Sequence, residues 1–172
     1  MKAEIKGRRT PARRPRARRG STINLIRRRN GVSNMQLIVG VKGTGKTKAL
    51  IEEVNKASRE SSGSVVCIEY GRKLTFDIKY QARLIDALDY EVNDAEKLYG
   101  FVCGILAGNY DVTQLFIDSA LKICGDDIPS FETFILKTAA IAKKNNIECI
   151  ITASVSPELL PASLKEYIRE AH

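Results

Sequence analysis

The sequence predicts an α/β protein: a mainly parallel, five-stranded sheet flanked by helices. Three observations carry that expectation. From Met35 onward, short apolar runs alternate with segments of helical periodicity, the pattern of repeated βαβ units. The chain has 172 residues, 44% of them apolar, which suits one domain around one core. A glycine-rich turn stands between the first apolar run and the first helical segment, where βαβ proteins bind anions.

The elements follow in order. Strands are expected over about 36–39, 64–70, 83–88, 113–118 and 147–152. The first helix is expected over about 46–60. Leu50, Val54 and Ala57 share one of its faces, Glu52 stands one turn before Lys56 and is placed to pair with it, and Ser61, Ser62 and Gly63 end it. A second helix is expected over about 94–107, with Leu98, Phe101, Val102 and Ile105 at helical spacing. A third is expected to start at Ser130 as N-cap, carry Phe134, Ile135, Thr138, Ala139 and Ala142, and close at Lys143, Lys144 and Asn145. Ser163 and Glu166 have the spacing of a capping box ahead of Tyr167 and Ile168, so a last short helix is expected there.

The net charge of +8 is unevenly placed. Residues 1–34 carry twelve Lys and Arg against Glu4, for +11, and residues 35–172 carry −3. The run Arg8, Arg9, Arg13, Arg14, Arg16, Arg18 and Arg19, broken by Pro11 and Pro15, offers little apolar surface to bury and repels itself, so disorder is expected over 1–34. Such an arm suits nucleic-acid phosphates, and its composition also suits an organelle transit peptide. A twin-arginine export signal needs a longer apolar stretch than Ile23–Ile26 supplies before Arg27. The alternative is that translation begins at Met35, immediately before the first strand, leaving 35–172 as the whole domain.

Other chemistry is narrowed by what is scarce. No apolar run approaches the ~20 residues that span a bilayer. Cys67, Cys103, Cys124 and Cys149 lie far apart among Val, Ile and Leu without a CxxC pair, which reads as buried thiols in a reducing cytoplasm rather than disulfides or a zinc site. The single histidine is His172, so histidine-based acid/base or metal chemistry lacks its usual groups.

The turn after the first strand reads Gly40, Val41, Lys42, Gly43, Thr44, Gly45, Lys46, Thr47, and it fits GxxxxGK[ST] at every defined position. Glycines let the backbone curl around an anion with its N–H groups inward, and the helix that follows adds the positive end of its dipole. Lys46 is expected on the β- and γ-phosphates and the Thr47 hydroxyl on Mg²⁺. In these residues the chain resembles the P-loop NTPase superfamily, over about 35–155.

The resemblance implies a metal-holding carboxylate at the end of a second apolar strand. Leu115, Phe116, Ile117, Asp118 supplies it, with Asp118 in the place of the Walker B aspartate. Many relatives of that superfamily carry a catalytic glutamate directly after this aspartate, whereas this chain has Ser119. Glu69, at the end of the second strand, stands where RecA-like ATPases keep theirs. Thr152 and Ser154, at the end of the fifth strand, resemble the polar sensor position for the γ-phosphate. If the aspartate-bearing strand is the fourth, the order resembles the additional-strand, RecA-like branch rather than the kinase and GTPase branch.

No NKxD or TKxD guanine-reading motif is present, which favours ATP over GTP. Residues 119–145 hold no arginine for a kinase lid, and the domain's arginines are Arg59, Arg72, Arg83 and Arg169. The blocks MQLIVG, KGTGKT, LFIDS and IITAS resemble a group of small bacterial P-loop proteins often labelled PilT-like twitching motility ATPases. A slow Mg-ATPase working with a partner or as an oligomer is the leading expectation. A non-hydrolysing nucleotide switch and a small-molecule kinase are the alternatives.

Overall fold

The computed structural model describes residues 34–170, all within one unit spanning Ser33–His172. The Arg-rich arm and His172 lie outside the described residues. Six strands form one sheet: β1 (Met35–Gly40), β2 (Ser64–Glu69), β3 (Ala82–Asp86), β4 (Val112–Ile117), β5 (Glu148–Ser154) and β6 (Ile168–Glu170). Every pairing among them is parallel, in the spatial order β3-β2-β4-β5-β1-β6.

Parallel pairing forces each connection to cross a face of the sheet, which buries the central strands on both sides. Successive residues therefore serve opposite layers. Leu37, Val39, Val66, Ile68, Leu115, Ile117, Cys149 and Ile151 join the larger core, while Ile38, Val65, Cys67, Phe116 and Ile150 join the smaller one. Helix α1 (Lys46–Glu60) covers the smaller core with Leu50, Val54 and Ala57. On the opposite face lie α2 (Ala95–Gly108), the short α3 (Ala120–Ile123) and α4 (Ile128–Asn145), through Leu98, Val102, Ile123, Phe131, Phe134 and Ile135.

Several boundaries differ from the sequence reading. The sheet has six strands, not five: Ile168–Glu170 pairs with Leu37–Val39, and the Ser163 and Glu166 capping box is replaced by a 3-10 turn over Ala162–Tyr167 in which Ser163 bonds Glu132. The N-cap of α4 is Asp127, whose carboxylate accepts the Ser130 N–H at 2.9 Å, so Ser130 lies inside the first turn. Strand β3 stops at Asp86, because its side chain caps a 3-10 turn over Ala87–Tyr90. Glu52 makes no ion pair with Lys56; the neighbouring Glu53 pairs with Arg169 instead. Among the described residues no helix is long and apolar enough to cross a membrane.

Candidate functional site

All six strands run the same way, so the turns after them gather at one edge of the sheet, the edge where ligands bind in open α/β folds. Gly40, Glu69, Asp118 and Ser154 all lie there.

The 40–47 turn is shaped by its glycines. A Cβ on Gly40 would fall 2.7 Å from Thr44 Oγ1, and Gly45 sits in the left-handed region at φ 82°, directly ahead of α1. Helix α1 starts without a side-chain cap and without an acid in its first turn, so its leading N–H groups face the turn and carry the helix's positive end. The Lys46 ammonium folds back on the turn, donating to Val41 O at 2.7 Å and Thr44 Oγ1 at 3.2 Å. Burial lowers the Lys46 pKa, and the Asp118 charge opposes that shift. Lys42 is exposed on the outer side of the turn.

Asp118 is reached across the sheet. Strand β5 lies between β1 and β4, yet Thr47 Oγ1 donates to Asp118 Oδ1 at 3.1 Å. The carboxylate is 2% exposed and collects two further hydroxyls: Thr152 Oγ1 donates to Oδ1 at 2.9 Å and Ser119 Oγ to Oδ2 at 2.8 Å. Thr152 Oγ1 in turn accepts the Ser119 N–H at 2.9 Å. The intervening strand thus contributes a hydroxyl that holds the carboxylate in place. A hydroxyl and a carboxylate beside the glycine-rich turn form an all-oxygen donor set of the kind Mg²⁺ accepts. Among the described residues no group of three or more His, Cys, Asp or Glu gathers for a metal.

Ser119 is the part of this site that sequence reading registered only as a missing glutamate. It holds the left-handed conformation at φ 56°, sparsely populated for a serine, and both its backbone N–H and its hydroxyl are spent inside the cluster. No spacing rule announces such a residue.

The remaining candidates are placed differently. Glu69 is 2% exposed, and its Oε2 accepts the Leu74 N–H at 2.7 Å, so it anchors the turn that leaves β2. Cys67, two residues earlier on the same strand, has its thiol pushed up by burial and further by the charges of Asp118 and Glu69. Ser154 stands opposite Gly40 in register, but its side chain is exposed and makes no hydrogen bond among the described residues. Two of the four arginines are engaged away from the turn: Arg72 grips Asp89 at 2.8 Å and 3.0 Å, and Arg169 holds Gln36 and Glu53. The four cysteines are free thiols, with Cys67, Cys124 and Cys149 buried.

A scan against protein-family models and a search of curated protein sequences found no match to this chain.

Proposed function

We propose that this chain adopts the P-loop NTPase fold and binds Mg-ATP, acting as a slow ATPase with a partner or as an oligomer. One observation carries the reading. The hydroxyl that follows the turn lysine and the carboxylate ending a non-adjacent strand meet at 3.1 Å, at the edge where the turn opens its N–H groups. In this reading Gly40, Lys42, Gly43, Thr44 and Gly45 wrap the phosphate chain, and Lys46 leaves Val41 O and Thr44 for the β- and γ-phosphates. Thr47 and Asp118 would hold Mg²⁺, which would supply positive charge against the phosphates. Thr152, whose one hydroxyl proton goes to Asp118 Oδ1, holds that carboxylate rather than the γ-phosphate, and Ser154 lines the rim.

The strand order supports the additional-strand, RecA-like branch, because β5 separates the turn-bearing strand from the aspartate-bearing one. Kinship with the small bacterial proteins labelled PilT-like belongs to the same proposal and rests on the sequence blocks alone. A kinase is less favoured, since Arg72 and Arg169 are already paired with carboxylates.

The non-hydrolysing switch has an observation of its own. Ser119 occupies the position after Asp118, and Glu69, the other candidate for polarising water, is bound to Leu74 N. That bond takes only Oε2, so water activation by Glu69 falls to Oε1.

Titration of the full chain with ATP and GTP in magnesium, with phosphate release followed in parallel, tests both readings. ATP binding with slow release supports the ATPase, and binding without release supports the switch. Lys46→Ala is expected to lower Mg-ATP affinity at least tenfold with the melting temperature retained. Wild-type protein that ignores both nucleotides sinks the proposal.

A further inference from the structure

Strands β2 and β3 are parallel neighbours, and such a pair is usually joined by a helix. Here the crossover over 70–81 is a non-helical strap instead, and it lies beside α1. Its inward residues are Leu74, which is buried in the smaller core, and Ile78, which packs against that core. Its outward residues are Phe76, 100% exposed, and Tyr80, 92% exposed.

The strap is pinned rather than loose. Asn55 of α1 donates to Asp77 O at 2.8 Å and accepts the Lys79 N–H at 2.9 Å, while Glu69 holds Leu74 N and Asp86 holds Gly71 N at 2.9 Å. Two rings are therefore presented to water on a backbone that is already ordered. Beside them in the strap stand Lys73 and Lys79 against one acid, Asp77, since Arg72 is taken by Asp86 and Asp89, and the domain's own balance is negative. Among the described residues Lys73 and Lys79 make no salt bridge, and both are exposed.

Exposed rings interleaved with cations suit a polyanion with flat, unpaired faces. Protein interface cores are depleted in lysine, and this strap turns its aliphatic side chains inward, leaving no continuous apolar patch for a protein to cover. Duplex bases have no free faces to stack. We propose that the outer side of the 70–81 strap binds single-stranded nucleic acid, with bases stacking on Phe76 and Tyr80 and phosphates neutralised by Lys73 and Lys79. Nothing in this surface depends on the nucleotide turn.

Fluorescence anisotropy of the full chain with labelled oligothymidylate, oligouridylate and a duplex of equal length tests it, without ATP. The 1–34 arm adds a charge-driven contribution that favours the more densely charged duplex, so the readout is the change in single-strand affinity and preference when the rings are removed. Wild type is expected to prefer one or both single strands. Phe76→Ala with Tyr80→Ala is expected to lower that affinity at least tenfold and abolish the preference, with the melting temperature unchanged because both rings are exposed. Lys73→Glu with Lys79→Glu is expected to flatten the salt dependence by about two ions. The sequence has no tryptophan, so Phe76→Trp supplies a single reporter that stacking should quench. Wild-type single-strand affinity in the ring-less protein overturns the assignment. Dissociation of an oligomer on ring removal, with oligonucleotide affinity intact, overturns it in favour of a contact between copies.

Discussion

Replacing Asp118 with Asn should separate metal binding from folding. The carboxylate accepts hydroxyl protons from Thr47, Thr152 and Ser119. An amide whose oxygen takes the place of Oδ1 still accepts from Thr47 and Thr152, and the Ser119 hydroxyl turns to accept from the new N–H. Each lost bond has a replacement, and since a net hydrogen bond contributes about 1 kcal/mol, stability should change by no more than about that amount. The corresponding shift in melting temperature is about 2–4 °C. Metal binding has no such replacement, because an amide nitrogen neither carries charge nor accepts from a metal-bound water. Loss of such a supporting partner typically costs about 10–100-fold in metal affinity, or about 1.4–2.7 kcal/mol. Calorimetric titration with ATP, in excess magnesium and in EDTA, reads the two effects apart, alongside thermal unfolding by circular dichroism. The expected result is a 10–100-fold loss in magnesium (about the range above) with unchanged affinity in EDTA. An unaltered magnesium dependence would remove Asp118 from the metal, and a fall in melting temperature of about 10 °C or more would refute the bond-for-bond exchange.

Glu69→Gln keeps an oxygen for Leu74 N, so folding should hold while any turnover that depends on the carboxylate disappears. Glu69→Ala leaves that buried N–H unpaired and should also cost about 1–3 kcal/mol in stability; wild-type phosphate release by the Gln variant would confine Glu69 to anchoring the strap. Burial pushes the Cys149 thiol from its ordinary 9.0 up to about 12. Between those values the unfolded chain has released a proton that the folded chain retains, so stability falls as pH rises. Relative to Cys149→Ala, wild type should lose about 1.4 kcal/mol between about pH 8 and pH 10 in urea unfolding; parallel pH profiles for the two proteins would contradict the burial of this group.

Much of the scaffold was legible because it depends on local pattern. The apolar run at Leu37–Val39, the spacing of Leu50, Val54 and Ala57, and the glycines before Lys46 each act within a few residues, where strand alternation, helical period and positive φ leave direct marks. The misread elements had their marks imitated or overridden. Ser163 and Glu166 have capping-box spacing, yet Leu37–Val39 was an open edge to which three residues at Ile168 could hydrogen-bond. Ser130 has the right chemistry for a cap, but Asp127 stands where the orphan N–H groups point.

Residue chemistry alone determined that a lysine and a threonine follow a turn able to curl around an anion, and that Asp118 ends an apolar strand. Only the tertiary structure decided that β5 comes between those strands, that Thr152 and Ser119 therefore grip the Asp118 carboxylate, and that Glu69 is occupied by Leu74. Strand order and side-chain partners across 71 residues of separation, as for Thr47 and Asp118, are settled by how the whole sheet buries its two faces. No window of neighbouring residues contains that information.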